Sequence, residues 1–263
     1  MNFIVQGYPA YAYTGGRTFD PKLPAIVFLH GAALDHSVWQ WQSRYFAHHG
    51  FAVLAVDLPG HGRSTGALCP TIEAIADWVA AFIEAAGLEK AHVVGHSLGS
   101  LAALDTAVRY PRRVARLALL GAAVPMPVGE AFLAAARDDS PAALDMQSVW
   151  GHARLCALSS SPVPGSSLAC AGRQLTARSR PGVQYAGLAA CNSYAPAIDA
   201  IRSVKAPTLV VAGRRDQMTP LRACQGLAKE IPGARFVAVD AGHSMMSEAP
   251  REVIAALRAH LYS

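Results

Sequence analysis

The chain is short of charge. Only 16% of its 263 residues are Asp, Glu, Lys or Arg, against about 25% in ordinary soluble domains. Lysine is nearly missing, with 4 residues against 19 arginines. Hydrophobic residues make up 52%, and 51 residues are alanine. Disordered chains combine low hydrophobicity with high net charge, and this composition is the opposite. Long apolar runs are missing too. A membrane span needs about 18 consecutive apolar residues. The best run, Leu117–Val128, is shorter and is broken by Pro125 and Pro127. The opening residues Met1–Gly7 have neither a basic start nor a long apolar stretch, so no secretory signal is expected and the cytoplasm is.

Paired cysteine and metal motifs are also absent. Five cysteines cannot all pair within one chain, and none forms a C-x-x-C or a zinc-spaced set. Scattered reduced thiols are expected, with a disulfide among Cys156, Cys170 and Cys191 left open. The ten histidines place no H-x-x-x-H pair on a helical stretch, so neither a metal nor an organic cofactor is expected. The formal charge is +5. The densest basic cluster, Arg109, Arg112, Arg113 and Arg116, falls at a helix end, where the macrodipole favours arginine. No aromatics interleave with it to stack bases. Nucleic acid and membrane are therefore not expected as partners. A small-molecule substrate is, and a homodimer is left open.

What is present is a regular alternation. Short apolar runs at Ala25–His30, Phe51–Asp57, His92–Gly95, Leu117–Gly121, Thr208–Gly213 and Phe236–Asp240 are nearly continuous rather than alternating. That marks parallel strands covered on both faces. Helical segments lie between them: Thr71–Ala86, Ser97–Arg109, Leu221–Glu230 and Pro250–Leu261. The expected fold is a doubly wound, mostly parallel α/β sheet, with antiparallel edge strands near Phe3–Gln6 and Tyr8–Tyr13. Residues 122–204 break the rhythm, with helix expected at Ala131–Ala136 and Asp145–Leu158 and a loop at 159–167. About 80 residues are too many for a simple crossover. They read as a helical cap inserted into a core made of 1–121 and 205–263.

Gly95-His96-Ser97-Leu98-Gly99 fits G-x-S-x-G, following a strand and opening a helix. A nucleophile on so tight a turn needs neighbours two residues away to be nearly bare, and glycine provides that. The turn would lift the Ser97 hydroxyl above the sheet and aim helix N-terminal amides at the same space.

With this elbow the chain resembles the α/β-hydrolase family, and the resemblance covers nearly all of it. Further matches are His30-Gly31, Asp57-Leu58-Pro59-Gly60-His61-Gly62-Arg63-Ser64, Gly213-Arg214-Arg215-Asp216-Gln217-Met218-Thr219-Pro220 and Ala241-Gly242-His243-Ser244, in the family's order. The resemblance implies an acid and a histidine after the nucleophile. A serine hydroxyl needs a base, and the base an orienting acid. His243 and Asp216, each just past a strand's C-terminal end, are the candidates. Asp240 and Glu130 are weaker rivals for the acid, and His96 is expected to turn away from the site. The oxyanion donors are expected to be the amides of Leu98 and Ala32, the latter carried over from His30-Gly31. Ser100 stands where relatives often have glycine. Asp57 with Arg63, and His30 and His61, read as turn-forming residues.

The expected activity is a serine hydrolase cleaving a small or medium carboxylic ester or lactone. The alternative is carbon–carbon bond hydrolysis of a keto-acid with the same triad, which predicts a cap cation near the pocket. An aminopeptidase, a cofactor-free haloperoxidase and a non-catalytic binding protein rank lower. Trp150, His152, Arg154 and Met245 are the candidate substrate contacts. Trp39 is expected in the core.

Overall fold

Strand burial explains the continuous apolar runs. A computed structural model describes residues 1–153 and 167–263. β1 (Asn2–Val5) and β2 (Tyr8–Tyr13) form an antiparallel hairpin at one edge. β3 (Ala25–Leu29) is buried at every position, and a short 3-10 turn (His36–Trp39) leads from it into α1 (Gln40–Ala47). β4 (Ala52–Val56) is equally buried. In β3, Ile26 and Phe28 pack with Trp39, Phe46 and Leu257 on one face. Val27 and Leu29 pack with Val79, Leu101 and Leu104 on the other. A strand with no solvated face has no polar alternate positions.

The rest of the core follows the expected order. α2 (Ile72–Ala85) is capped by Thr71, whose hydroxyl accepts from the Ala74 amide at 3.2 Å, and it buries Ile72, Ile75, Val79, Phe82 and Ile83. β5 (Ala91–His96), α3 (Leu98–Arg109) and β6 (Val114–Leu120) come next. After the insertion come β7 (Thr208–Gly213), then α9 (Leu221–Glu230), β8 (Arg235–Val239), the single turn α10 (Met245–Glu248) and α11 (Pro250–Leu261). The sheet order is β1-β2-β4-β3-β5-β6-β7-β8. β2 joins β4 antiparallel, and every later pairing is parallel.

Between β6 and β7 the described residues contain helices and no strand: α4 (Glu130–Arg137), α5 (Pro141–Trp150), α6 (Leu168–Ala177), α7 (Val183–Ser193) and α8 (Ile198–Arg202). α5 starts earlier than the sequence reading placed it, because Ser140 accepts from the Ala142 amide and Pro141 suits a first helical position. It stops at Trp150, and most of the expected extension to Leu158 and of the loop at 159–167 lies outside the described residues. The last loop residue, Ser167, caps α6.

Within the expected helical cap, the sequence pattern places no individual helix at α6 to α8. α7 shows why: its buried positions are Val183, Gln184, Gly187, Leu188, Ala190 and Cys191. A buried stripe of amide, glycine, alanine and thiol carries little aliphatic periodicity. No helix of the described residues is long and apolar enough to cross a membrane.

α3 packs closely on β3 and the residue after it. A Cβ added at Gly99 would stand 2.5 Å from the Leu29 carbonyl oxygen and 2.6 Å from that of His30. Backbone cannot retreat as a side chain can. Gly99→Ala should lower stability by about 3 kcal/mol, the upper range for overpacking. At roughly 2–4 °C per kcal/mol, the melting temperature should drop by about 6–12 °C. Thermal unfolding by circular dichroism measures this, and an unchanged midpoint would contradict the contact.

Candidate active site

Ser97 sits between β5 and α3 with φ 53° and ψ −118°, a backbone conformation that side-chain-bearing residues rarely adopt. The surroundings hold it there. Its amide donates to Leu120 O at 2.9 Å, and its carbonyl accepts from the Ser100 and Leu101 amides at 2.8 and 3.2 Å. The Ser100 hydroxyl adds a bond to the same carbonyl at 2.6 Å. The departure from glycine at Ser100 therefore braces the turn. A Cβ at Gly95 would collide with the Gly99 carbonyl.

The loop after β3 carries the second expected oxyanion donor. His30 fixes it: Nδ1–H donates to Gly31 O at 2.8 Å, and Nε2 accepts from the Leu58 amide at 3.0 Å. Ala33 has φ 56°. Among the described residues the Ala32 amide donates to no protein acceptor. The Leu98 amide opens α3 and lies among the helix's unsatisfied N–H groups.

Asp216 and His243 meet across the ends of β7 and β8. Nδ1 of His243 donates to Asp216 Oδ2 at 2.8 Å, with both side chains buried. The carboxylate also accepts from the Met218 and Thr219 amides, each at 2.8 Å, and from the Thr219 hydroxyl at 2.6 Å. Burial pushes the Asp216 carboxyl up. The His243 ring and these hydrogen bonds outweigh it and hold the pKa below its ordinary value. With Nδ1 committed to Asp216, Nε2 of His243 carries the lone pair. That atom is buried and, among the described residues, makes no hydrogen bond to Ser97 or to any other group. Catalytic contacts of this kind are often loose before substrate binds.

A cavity of about 350 Å³ joins these parts. Ser97, His243, Ala32 and Thr219 line it on the core side, and Phe132, Gln147, Trp150 and Leu188 on the insertion side. Among the described lining residues there is no lysine, arginine, aspartate or glutamate.

Trp150 and His152 both reach this cavity, with Trp150 edge-on to Phe132. Arg154 lies outside the described residues. Met245 corrects the sequence reading. It is fully buried on the opposite face of the sheet with Ile26, Phe28 and Trp39, because the turn of α10 carries the chain under the sheet. Ser244 lines the cavity instead.

His96 also differs from expectation. Its ring lies 4.7 Å from that of His243 between centroids, and Nε2–H donates to His243 O at 3.0 Å. Asp240 is exposed and pairs with Arg215, not with His243. Trp39 is in the core as expected. Cys170 and Cys191 are free thiols, and Cys156 lies outside the described residues.

Three groups went unassigned in the sequence. Thr219 stands three residues after Asp216 in the Gly213–Pro220 motif, a spacing that suits a hydroxyl partner for the carboxylate. Glu248 and His36 offered no spacing signal. Glu248, buried, accepts from the Gly242 amide at 3.1 Å and the Ala153 amide at 2.9 Å, joining the His243 loop to the insertion. His36 donates through its amide and Nδ1 to Asp57 Oδ1, at 2.7 and 2.8 Å. The expected Asp57–Arg63 pair is a bond from the Arg63 amide. Asp35, His36 and Asp57 bring metal-type donors within 4.8 Å of one another, but their carboxylates already serve Ser37, His36, Arg63 and Arg178.

Comparisons with known proteins agree with the fold. A family model described as alpha/beta hydrolase fold matches residues 24–250. A pimeloyl-[acyl-carrier protein] methyl ester esterase of Aromatoleum aromaticum is 33% identical over 253 aligned residues, covering 87% of this chain and 94% of that protein. A dihydrolipoyllysine-residue acetyltransferase component of an acetoin cleaving system, from Cupriavidus necator, is 39% identical over 111 residues. That match spans 42% of this chain and only 28% of the relative. Among solved structures, the enol-lactonase of Burkholderia xenovorans LB400 superposes with a TM-score of 0.88 at 23% identity, over the whole of both chains.

Five histidines around the site and core are held neutral. Burial is the leading cause at each, with a neighbouring cationic or histidine charge adding to it. His61 and His96 fall to about 3, His92 and His260 to about 4, and His30 is also lowered. In the unfolded chain each protonates near about pH 6.5, so unfolding takes up protons below that value. Stability is therefore full above pH 6.5 and is lost as pH falls toward 4. Each such histidine adds up to about 1.4 kcal/mol per pH unit. Melting temperatures should decline steadily from pH 6.5 to 4.5, and a flat profile in thermal scans would show these rings protonated in the native state.

Proposed function

Because the chain belongs to the α/β-hydrolase fold family, we propose that it hydrolyses a small or medium carboxylic ester or lactone through an acyl-enzyme on Ser97. The observation that carries this reading is that His243, its Nδ1 held by the buried Asp216, lines the same cavity as Ser97.

The chemistry follows from those atoms. Ser97 Oγ attacks the substrate carbonyl carbon while its proton passes to His243 Nε2. Asp216 keeps the ring in the accepting tautomer and stabilises the imidazolium. Negative charge on the carbonyl oxygen is received by the Ala32 and Leu98 amides, each contributing about 2.7–4 kcal/mol to the transition state. His243 returns the proton to the departing alkoxide oxygen. In a lactone that oxygen stays on the same molecule. A water then gives its proton to His243 as its oxygen attacks the acyl carbon, and Ser97 leaves with the returned proton. No step calls for a metal or an organic cofactor.

The cavity's size and its uncharged described lining favour a neutral acyl group. A keto-acid undergoing carbon–carbon cleavage would bring a carboxylate, and among the described residues no cation lines the cavity to receive it. The esterase name of the Aromatoleum relative and its near-full coverage support the ester reading.

Ser97→Ala should reduce kcat about a million-fold, the scale seen when a triad nucleophile is removed from subtilisin. Asp216→Asn should cost about 10,000-fold by admitting the wrong tautomer. Steady-state rates on p-nitrophenyl esters, lactones, aminoacyl amides and a vinylogous keto-acid give both numbers and rank the substrate classes. Turnover by Ser97→Ala within tenfold of the parent would remove Ser97 from the mechanism.

A further inference from the structure

Gln147 is a polar side chain of the cavity with a donor left over. Gln147, on α5, lines the cavity with Ser97 and His243. Its Nε2 donates to the carbonyl oxygen of Ala32 at 3.1 Å. Its Oε1 accepts from Gln184 Nε2, on α7, at 2.6 Å. That nitrogen also donates to Ala143 O at 3.3 Å. Backbone carbonyls at both ends of this chain of amides require nitrogen toward them. Neither amide can therefore be turned over without placing oxygen against oxygen. An amide nitrogen carries two hydrogens. The first of Gln147 goes to Ala32 O, and among the described residues the second has no protein acceptor.

We infer that Gln147 is a specificity-determining residue whose second Nε2–H binds an uncharged acceptor oxygen on the substrate's acyl chain. This rests on the acyl-enzyme reading above. The oxyanion would face the Ala32 amide and the leaving alcohol His243, which protonates it. Gln147 adjoins Ala32, so the part of the substrate it meets is the acyl chain beside the scissile carbonyl. The absence of a described cation in the lining points to an ether, oxo or hydroxyl oxygen rather than a carboxylate. Gln184, 5% exposed, is the positioning residue that keeps nitrogen directed at the site. A site built to hydrogen-bond an oxygen discriminates against the analogue without it, because the donor, covered by the bound substrate, is then left unpaired.

The test uses two acyl groups that differ by one atom, p-nitrophenyl methoxyacetate and p-nitrophenyl butyrate. Each kcat/KM is divided by the ester's own hydroxide rate, which removes intrinsic reactivity. The wild-type protein should favour methoxyacetate after this correction. Gln147→Met, similar in length and without a donor, should lose about tenfold more kcat/KM on methoxyacetate than on butyrate. Equal losses on both esters would mean that Gln147 only braces the Ala32 loop and would overturn the inference. So would no loss on either. Should the variant fail to fold, the wild-type preference decides alone, and its absence overturns the inference. Turnover of both esters that survives Ser97→Ala would instead overturn the acyl-enzyme reading, and no wild-type turnover of either would overturn both.

Discussion

Everything in the site depends on how closely three backbones approach one another at Ser97. The end of β5, the start of α3 and the loop after β3 meet where Gly95 and Gly99 leave no room for a β-carbon. That approach brings the first amides of α3 and the Ala32 amide toward one space. It also forces the unfavourable φ of Ser97, whose cost is of order 1–3 kcal/mol. Four hydrogen bonds to the Ser97 backbone, one of them from the Ser100 hydroxyl, offset the strain.

The insertion is joined to this machinery by polar contacts as well as by apolar packing. Gln147 reaches the loop after β3, the Glu248 carboxylate spans Ala153 and Gly242, and the Ser244 amide donates to Gly151 O at 2.8 Å. A Cβ at Gly187 would stand 2.8 Å from that of Ala32, so α7 rests directly on the loop. Both the Ala32 loop and the His243 loop are held from the insertion side. The shape of the cavity and the orientation of the reacting groups are therefore mechanically linked, and a substitution in α5 or α7 acts on both.

Much of the core was legible in the sequence because its physics is local. Strands covered on both faces write uninterrupted apolar runs, and β3, β4, β6, β7 and β8 each lie within a few residues of the run that announced them. The nucleophile, acid and histidine candidates were legible because each stands at a strand end beside glycine or a turn. The insertion was harder to read. α7 faces the core with Gln184, Gly187, Ala190 and Cys191, and such a face has no hydrophobic period. Met245 was misplaced because sequence proximity to His243 does not say which side of the sheet the next turn enters. Gln147 was invisible for a different reason: its role arises from partners 115 and 37 residues away.

Gly121 closes the account of why the acid stands after β7. It follows β6 with φ 58°, and a Cβ there would lie 3.0 Å from His243 Cε1 and 3.3 Å from Thr219 Oγ1. The imidazole fills the volume that a side chain at this position would occupy. A side chain at 121 would crowd the His243 ring and the Thr219 hydroxyl at their present positions. An acid placed at this strand end would therefore press on the base it is meant to orient, whereas Asp216, at the end of the neighbouring strand, meets His243 at 2.8 Å.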